Sequence, residues 1–415
     1  MSAVQLDKLV FDESHEESIG SAVVAVIELE GPTGERLSCA AIESAWLQVC
    51  ERHDVLRSYF PRATYRARFA PMERFALRCV GGHGSVREGV EKVISEWAAA
   101  PTHSDAPPLA RMYHVHGEQN IILLIVDHLL FDGMSVGLLH DELNDILAGR
   151  DLPPVAFGYY DFAEQQNELI EQDGPRIAFW EESLQRTGLR QELFVPREFD
   201  EVPGADYPEL LHRFRVGGAG DRAKLRRAAS ALRCTEYALV VSCFLSAIRT
   251  YQDHEDVGLV IATPGRSLPG TERLLGNFAN CLPVGIRLSS ATTMADAVRR
   301  TSTALFDALD NDIIPRAYLL RKYFPQFIHE DPTEPYLFID LASSRAVTSA
   351  LDPEGEPWMP TAGRRGEPGI SAYVHLDDDV MIEMSTTPAY STSTLDELGR
   401  RVNEAWERAL TESAS

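Results

Sequence analysis

The chain has 415 residues, 44% of them hydrophobic and 25% charged, a composition that supports a large core and excludes disorder as the main state; at about 150 residues per domain it predicts two to three domains. Its 39 basic and 63 acidic side chains leave a formal charge of −24, which argues against nucleic acid and anionic membrane as partners while permitting a local basic patch. Six cysteines, at 39, 50, 79, 234, 243 and 281, form no CxxC pair; Cys39, Cys50, Cys234 and Cys243 read as small hydrophobes in helix-like apolar contexts, and neither a disulfide framework nor a zinc ribbon is expected.

The acidic N-terminus, MSAVQLDKLVFDESHEE, has no signal-peptide run, and the longest uncharged apolar stretch, 237–248, is too short to cross a membrane. A cytoplasmic location is the expectation. Residues 22–29 predict a strand, and 40–53 a helix with Ile42, Trp46, Val49 and His53 on one face. Residues 110–116 and 121–127 predict a hairpin whose second arm is continuously apolar from Ile121 to Val126, as for a strand covered on both faces. A helix follows at 135–148, stopped by Gly149. After a turn-rich linker at 186–209 come helices at 220–232 and 235–250, strands at 257–263 and 282–288, and a helix at 292–309. Strands at 336–342 and 370–385 flank a Pro/Gly-rich loop, 352–369, and a helix at 394–411 closes the chain. The fold class is therefore mixed α/β, in two halves, 1–185 and 210–415.

The strongest chemical signal is the run from Ile125 to Ser135, IVDHLLFDGMS. A buried strand delivers His128, a short turn carries Asp132 and Gly133, and a helix begins near Ser135. A rigid element can hold an imidazole in place. Gly133 reads as relief for a backbone shape closed to a Cβ, and Ser135 as the helix N-cap.

Further runs make the sequence resemble the condensation-domain family of nonribosomal peptide synthetases, within the chloramphenicol-acetyltransferase-like acyltransferases. The family motif HHxxxDGxS stands as Asp127-His128-Leu-Leu-Phe-Asp132-Gly133-Met-Ser135; RHExLRTxF stands as Arg52-His53-Asp54-Val55-Leu56-Arg57-Ser58-Tyr59-Phe60. YxDFA appears as Tyr159-Tyr160-Asp161-Phe162-Ala163, followed by Phe179-Trp180, and GxFxNxLP as Gly276 to Pro283. Thr263-Pro264-Gly265-Arg266 resembles the GxPxxGR segment. The resemblance implies a V-shaped pair of acyltransferase-like, two-layer α+β lobes, with an active-site tunnel at their junction. It implies transfer of an acyl or aminoacyl group from the phosphopantetheine thioester of an acyl or peptidyl carrier protein, or from CoA, to an amine or alcohol. No bound cofactor or metal is expected. His128 is the expected catalytic base or positioning group, and Asp132 joins it in the catalytic motif, paired with Arg57 or Arg287. Phe278 and Asn280 are expected on a loop that bridges the lobes.

The motif departs from the family at Asp127, where a first histidine is usual. Either Asp127 faces away from His128 and meets a cation, or DxxxxDxxS marks a heterocyclising variant. A silent docking module for assembly-line proteins is the further alternative. The early SxAQ-type motif survives only as an echo in Ser2-Ala3-Val4-Gln5. Arg222, Lys224, Arg226 and Arg227 form one candidate patch for an acidic carrier, against a solvated helix face. His114-x-His116 places two imidazoles on one strand face with no third ligand apparent. Asp377-Asp378-Asp379 lacks calcium-loop spacing, and there is no GxSxG elbow, GxGxxG or P-loop.

Overall fold

The computed structural model describes residues 1–14, 22–31, 36–61, 64, 66–81, 85–98, 104–116, 120–187, 210–323, 337–341, 369–386 and 390–414. Among these, 1–171 and 264–279 form one compact unit, and 172–263, 280–341 and 369–414 another. The two halves expected from the sequence are therefore not consecutive: sixteen residues between two strands of the second unit belong to the first. Of the predicted linker at 186–209, residues 188–209 lie outside the described residues, as do 352–368 of the predicted loop at 352–369; residues 186 and 187 end a helix instead.

The first unit runs α1 (Ala3–Ser14), β1 (Ala22–Glu28), α2 (Cys39–Arg52), β2 (Ser58–Tyr59), β3 (Arg68–Phe69), β4 (Arg78–Val80), α3 (Val86–Ala98), β5 (Ala110–His116), β6 (Asn120–Asp127), α4 (Gly133–Leu147) and α5 (Tyr159–Gln172). Its main sheet has the order β1-β6-β5-β4, antiparallel except for the parallel β4–β5 pair. The uninterrupted apolar run of β6 follows from burial on both faces. Ile122, Leu124 and Val126 join the core built with Trp46 of α2 and Leu139 of α4. Ile121, Leu123 and Ile125 join a second core with Val90, Val93, Ile94 and Trp97 of α3. Gly149 ends α4 with φ +69°, a left-handed conformation that glycine adopts without strain.

α1, α3 and α5 were not among the predicted elements. The Val86, Val90, Val93, Trp97 spacing of α3 is nonetheless helical. α1 starts with a capping box: Ser2 Oγ accepts from Gln5 N–H at 3.2 Å, and Gln5 Oε1 accepts from Ser2 N–H at 3.2 Å. α2 is fastened at its C-terminal end, where Glu142 of α4 accepts from Arg52 Nε at 3.0 Å and meets His53 Nε2 at 2.8 Å.

Two expectations about cysteine and histidine change here. β4 lies beside β5 in the register Cys79↔His114, and Cys39, the first residue of α2, reaches the same place. Cys39 and Cys79 are joined as a disulfide, with Cα atoms 6.7 Å apart, so Cys39 is not the free small hydrophobe that its context suggests. His114 and His116, read from the sequence as lacking further ligand types, have both sulfurs beside them. Parallel strand pairing creates this neighbourhood between residues distant in sequence.

The second unit contains α6 (Gly174–Thr187), β7 (Leu210–Arg215), α7 (Arg222–Ala231), α8 (Glu236–Gln252), β8 (Asp256–Thr263), β9 (Asn280–Arg287), α9 (Met294–Asp310), α10 (Arg316–Tyr323), β10 (Leu337–Leu341), β11 (Ile370–Leu376), β12 (Val380–Thr386) and α11 (Thr392–Ser413). Its six strands follow the order β7-β12-β11-β10-β8-β9. The predicted strand at 370–385 is a hairpin, β11–β12, turning at the three aspartates. Every residue of α8 from Ala238 to Ile248 is buried, so its apolarity is that of a core helix; no single helix among the described residues is long and apolar enough to cross a membrane.

α6, missed in the sequence, belongs to this unit rather than to the N-terminal half. Trp180 is fully buried and donates its Nε1–H to the Asn311 carbonyl at 3.1 Å. Trp180→Ala is expected to lower stability by about 3–5 kcal/mol through loss of packing and the cavity left behind, measured by urea unfolding.

Candidate active site

β6 ends at Asp127, the chain turns through 128–130, and α4 starts at Gly133. His128 sits in this turn, half-buried. Its carbonyl accepts from Asn277 Nδ2 at 2.6 Å, and its Nδ1 is buried with no hydrogen-bond partner among the described residues. Asn277 Oδ1 is likewise buried without a partner. The same turn is clamped by Gln5, whose Nε2 donates to the Leu129 carbonyl at 2.8 Å.

Asp127 is buried. Its Oδ1 accepts from the Leu129 N–H at 2.9 Å and lies 3.8 Å from Lys8 Nζ. It braces the turn that presents His128.

Asp132 faces neither Arg57 nor Arg287. Its partner is Arg266, which donates Nη1–H to Oδ2 at 2.9 Å and Nη2–H to Oδ1 at 3.2 Å. Both side chains are almost completely buried, at 4% and 2% exposure. Arg57 instead donates to the Cys50 carbonyl at 3.0 Å and lies over the Phe69 ring. Arg287 is an exposed residue of the second unit, paired with Glu255 and Asp256. The signal for Arg266 is present in its TPGR run, but the partners of Asp132 expected from the sequence are Arg57 and Arg287 alone.

Asp132, not Ser135, is the N-cap of α4: its Oδ1 accepts from Ser135 N–H at 2.8 Å. Ser135 lies one turn in, where its hydroxyl donates to the Gly276 carbonyl at 2.9 Å and accepts from Gly276 N–H at 3.1 Å and Arg266 Nη2–H at 3.0 Å. Asp132 Oδ2 also accepts from Phe278 N–H at 3.0 Å. The segment 264–279 is thereby stitched to the start of α4 at several points.

Aromatic packing completes the site. Phe278 packs edge-to-face against Tyr159 and at a tilt against Phe162, with ring centroids 5.0 and 4.6 Å apart, and lies under the Arg266 guanidinium at 4.4 Å. Tyr159 donates to the Asn277 carbonyl at 2.5 Å, and its hydroxyl meets Ser2 Oγ at 2.9 Å. Burial pushes the Tyr159 phenol well above its ordinary range, so it stays protonated as a donor. The Ser2–Gln5 run thus touches the site at two points, although it looked like no more than an echo in the sequence.

Two glycines play opposite parts. At Gly276 a Cβ would overlap the Tyr159 ring and lie 2.7 Å from Phe278 Cε2. At Gly133 a Cβ would meet nothing within 4 Å, and its φ is not positive. The backbone relief expected of Gly133 is not its role; it leaves open space at the start of α4.

Asn280 is not on the loop with Phe278. It opens β9 in the second unit, where its amide donates to Asp312 and Ile314 and accepts from the backbone N–H groups of Cys281 and Arg316. Burial raises the pKa of Asp312. In the candidate carrier patch, Arg222 and Arg226 engage Glu236, and Lys224 engages Asp221 at 2.7 Å. Local acids therefore neutralise much of that helix face.

With this geometry in place, comparison with known proteins defines the class. Residues 1–326 match the Condensation domain, and the chain belongs to the condensation-domain family. Among curated relatives, it is 24% identical over 366 residues to surfactin synthase subunit 1 of Bacillus subtilis, covering 86% of this chain and 10% of that protein. It is 23% identical over 331 residues to gramicidin S synthase 2 of Brevibacillus brevis, covering 78% of this chain and 7% of that protein. The chain thus spans a tenth or less of the length of these relatives.

Solved structures share the fold across the chain. The SgcC5 protein of Streptomyces globisporus, in complex with (R)-(-)-1-(2-naphthyl)-1,2-ethanediol and sucrose, matches with a TM-score of 0.76 at 19% identity, covering 99% of this chain and 98% of that one. The X-domain from teicoplanin biosynthesis, in complex with OxyB, matches with a TM-score of 0.75 at 20% identity, covering 99% and 93%. The condensation domain of the Monacolin K polyketide synthase MokA matches at 0.77 with 14% identity, covering 100% and 97%.

Removing one partner of the Asp132–Arg266 pair leaves a buried charge. Asp132→Ala and Arg266→Ala are each expected to lower stability by about 3–5 kcal/mol, and the double variant by less than their sum; denaturant unfolding of the four chains measures this. Gly276→Ala is expected to destabilise by about 1–3 kcal/mol through overpacking, whereas Gly133→Ala stays within about 0.5 kcal/mol of the parent, read from thermal melts.

Proposed function

We propose that this chain is a condensation-type acyltransferase. It moves an acyl or aminoacyl group from a phosphopantetheine thioester on a carrier protein, or from CoA, to an amine or alcohol, forming an amide or ester. The observation that carries this reading is the contrast within the motif. Asp132 is saturated by Arg266, Ser135 and Phe278, while His128 is half-buried with an unengaged buried nitrogen on a clamped turn. A buried polar atom without a partner calls for a chemical reason, and an incoming hydrogen-bonding substrate supplies one.

A thioester is already activated, so alignment of the reactants is the main catalytic task. The acceptor nitrogen or oxygen attacks the thioester carbonyl; the tetrahedral adduct collapses, the C–S bond breaks and the thiol leaves. The proton lost by the acceptor ends on the departing sulfur. A neutral imidazole at His128 accepts a hydrogen bond from the acceptor and orients it; with an alcohol it also takes the proton during attack. Asp132 acts through structure, as N-cap and anchor for 264–279, and Asp127 braces the turn. Both carboxylates are engaged in that work, which favours acyl transfer over heterocyclisation. The ethanediol held by SgcC5 keeps the alcohol acceptor in view.

A docking role is the second reading, favoured by the likeness in fold to the X-domain that is complexed with OxyB and by Asp127 in the first motif position. One assay separates the two. Acyl-loaded carrier proteins and acyl-CoAs are presented with pooled amines and alcohols, and intact-mass spectrometry follows the thioester. Acceptor-dependent unloading that falls about 10²–10⁴-fold in His128→Ala, at unchanged melting temperature, is the expected result. Carrier binding without unloading by the parent chain transfers the assignment to docking.

A further inference from the structure

Cys39, Cys79, His114 and His116 offer one ligand atom each, all within 4.8 Å of one another. They come from three elements of the first unit. Even-numbered residues of β5 face α2: Ala110 and Met112 contribute to the core shared with Trp46, and the next two positions on that face are His114 and His116. The parallel neighbour β4 sets Cys79 beside His114. α2 begins at Cys39, with Ser38 as its cap, and a helix N-terminus favours thiolate over thiol.

Two S···N edges of the cluster match those of a four-ligand ion, and the S–S bond must open for the second sulfur to bind. Cys39 Sγ lies 3.3 Å from His114 Nδ1 and 3.6 Å from His116 Nε2. With Zn–S of about 2.3 Å and Zn–N of about 2.0–2.1 Å, the S···N edge of a tetrahedron is about 3.6 Å. The rings lie 4.7 Å apart, centroid to centroid. Gly81 gives the His116 ring its space: a Cβ there would stand 3.3 Å from His116 Cδ2. Cys79 and His116 are exposed, so an ion and a reductant can reach the cluster.

We propose that these four side chains form a structural Cys₂His₂ zinc site in the thiol form of the protein. A disulfide between Cys39 and Cys79 alone gives no role to two imidazoles whose nitrogens converge on Cys39. The site works with the cysteines as thiols: each loses one proton as its sulfur binds Zn²⁺, and the two imidazoles bind as neutral donors. From the disulfide, a thiol reductant supplies two electrons and the two sulfurs each gain a proton before the ion enters. Four protein ligands leave no open position, so the ion clamps the N-terminus of α2 to the β4–β5 edge rather than acting on substrate.

The test uses the full chain purified under a thiol reductant. Zinc is counted by elemental mass spectrometry after addition of zinc and desalting, and Co²⁺ titration reads the sulfur-to-cobalt charge-transfer band and tetrahedral d–d absorption. About one zinc per chain, a thiolate–cobalt spectrum, and a lower melting temperature after chelation are expected. Cys79→Ser is expected to abolish the charge transfer from that sulfur. His116→Ala, an exposed change that spares the core, is expected to weaken Co²⁺ binding at least about 10-fold, whereas His254→Ala leaves it unchanged. The proposal is overturned by a reduced, folded parent chain that binds no stoichiometric metal, by metal binding undiminished in His116→Ala, or by a Cys39–Cys79 bond that persists under the reductant.

Discussion

A buried carboxylate governs the architecture around the motif. Removing Asp132 from water is costly, and only a full set of donors makes it tolerable. The chain supplies them from three places: two from Arg266, one from the Ser135 backbone and one from the Phe278 backbone. Each donor fixes something. Ser135 N–H makes Asp132 the cap of α4, while Arg266 and Phe278 pin both ends of a segment that would otherwise follow the second unit. The charged residue of the motif is thereby a structural centre, and the imidazole of His128 is the motif's side chain left with an unengaged nitrogen.

Backbone clamps then hold His128. Asn277 binds its carbonyl, Gln5 binds that of Leu129, and Asp127 binds the Leu129 N–H. Asn277 is in turn held through its own carbonyl by Tyr159, whose ring occupies the space left by the missing side chain of Gly276. Four separated motifs converge on one turn because each contributes a donor, an acceptor or a gap that the next requires. Such a site restricts the placement of an imidazole, which is what the proposed reaction between already activated reactants requires.

α2 links this region to the cysteine–histidine cluster. Its C-terminal end is fixed to Glu142 of α4 through Arg52 and His53, and its N-terminal end lies in the cluster through Cys39. The helix on which α4 rests is thus fastened at both ends, by an ion pair at one and by sulfur chemistry at the other. Redox state or metal at the cluster acts on a packing element of the fold, away from the residues that would meet substrate.

Periodicity and motif order determined the hairpin of β5 and β6, the helix after His128, most elements of the second unit (not α6, β7 or α10) and the resemblance to condensation domains, because these rest on side chains within a few residues of each other. The capping box at Ser2–Gln5 and the helical spacing in α3 were legible too, though neither was read as an element. Tertiary structure alone decided the rest. Arg266 rather than Arg57 or Arg287 meets Asp132 across 134 residues, Asn280 turns into the second unit's own network, and 264–279 joins the first unit. Cys79 becomes the neighbour of His114 through a parallel strand pair that no local pattern announces. Local sequence encodes which face of an element is apolar; which faces then meet depends on how whole elements fill a common core, and the partners of buried polar groups are settled only at that stage.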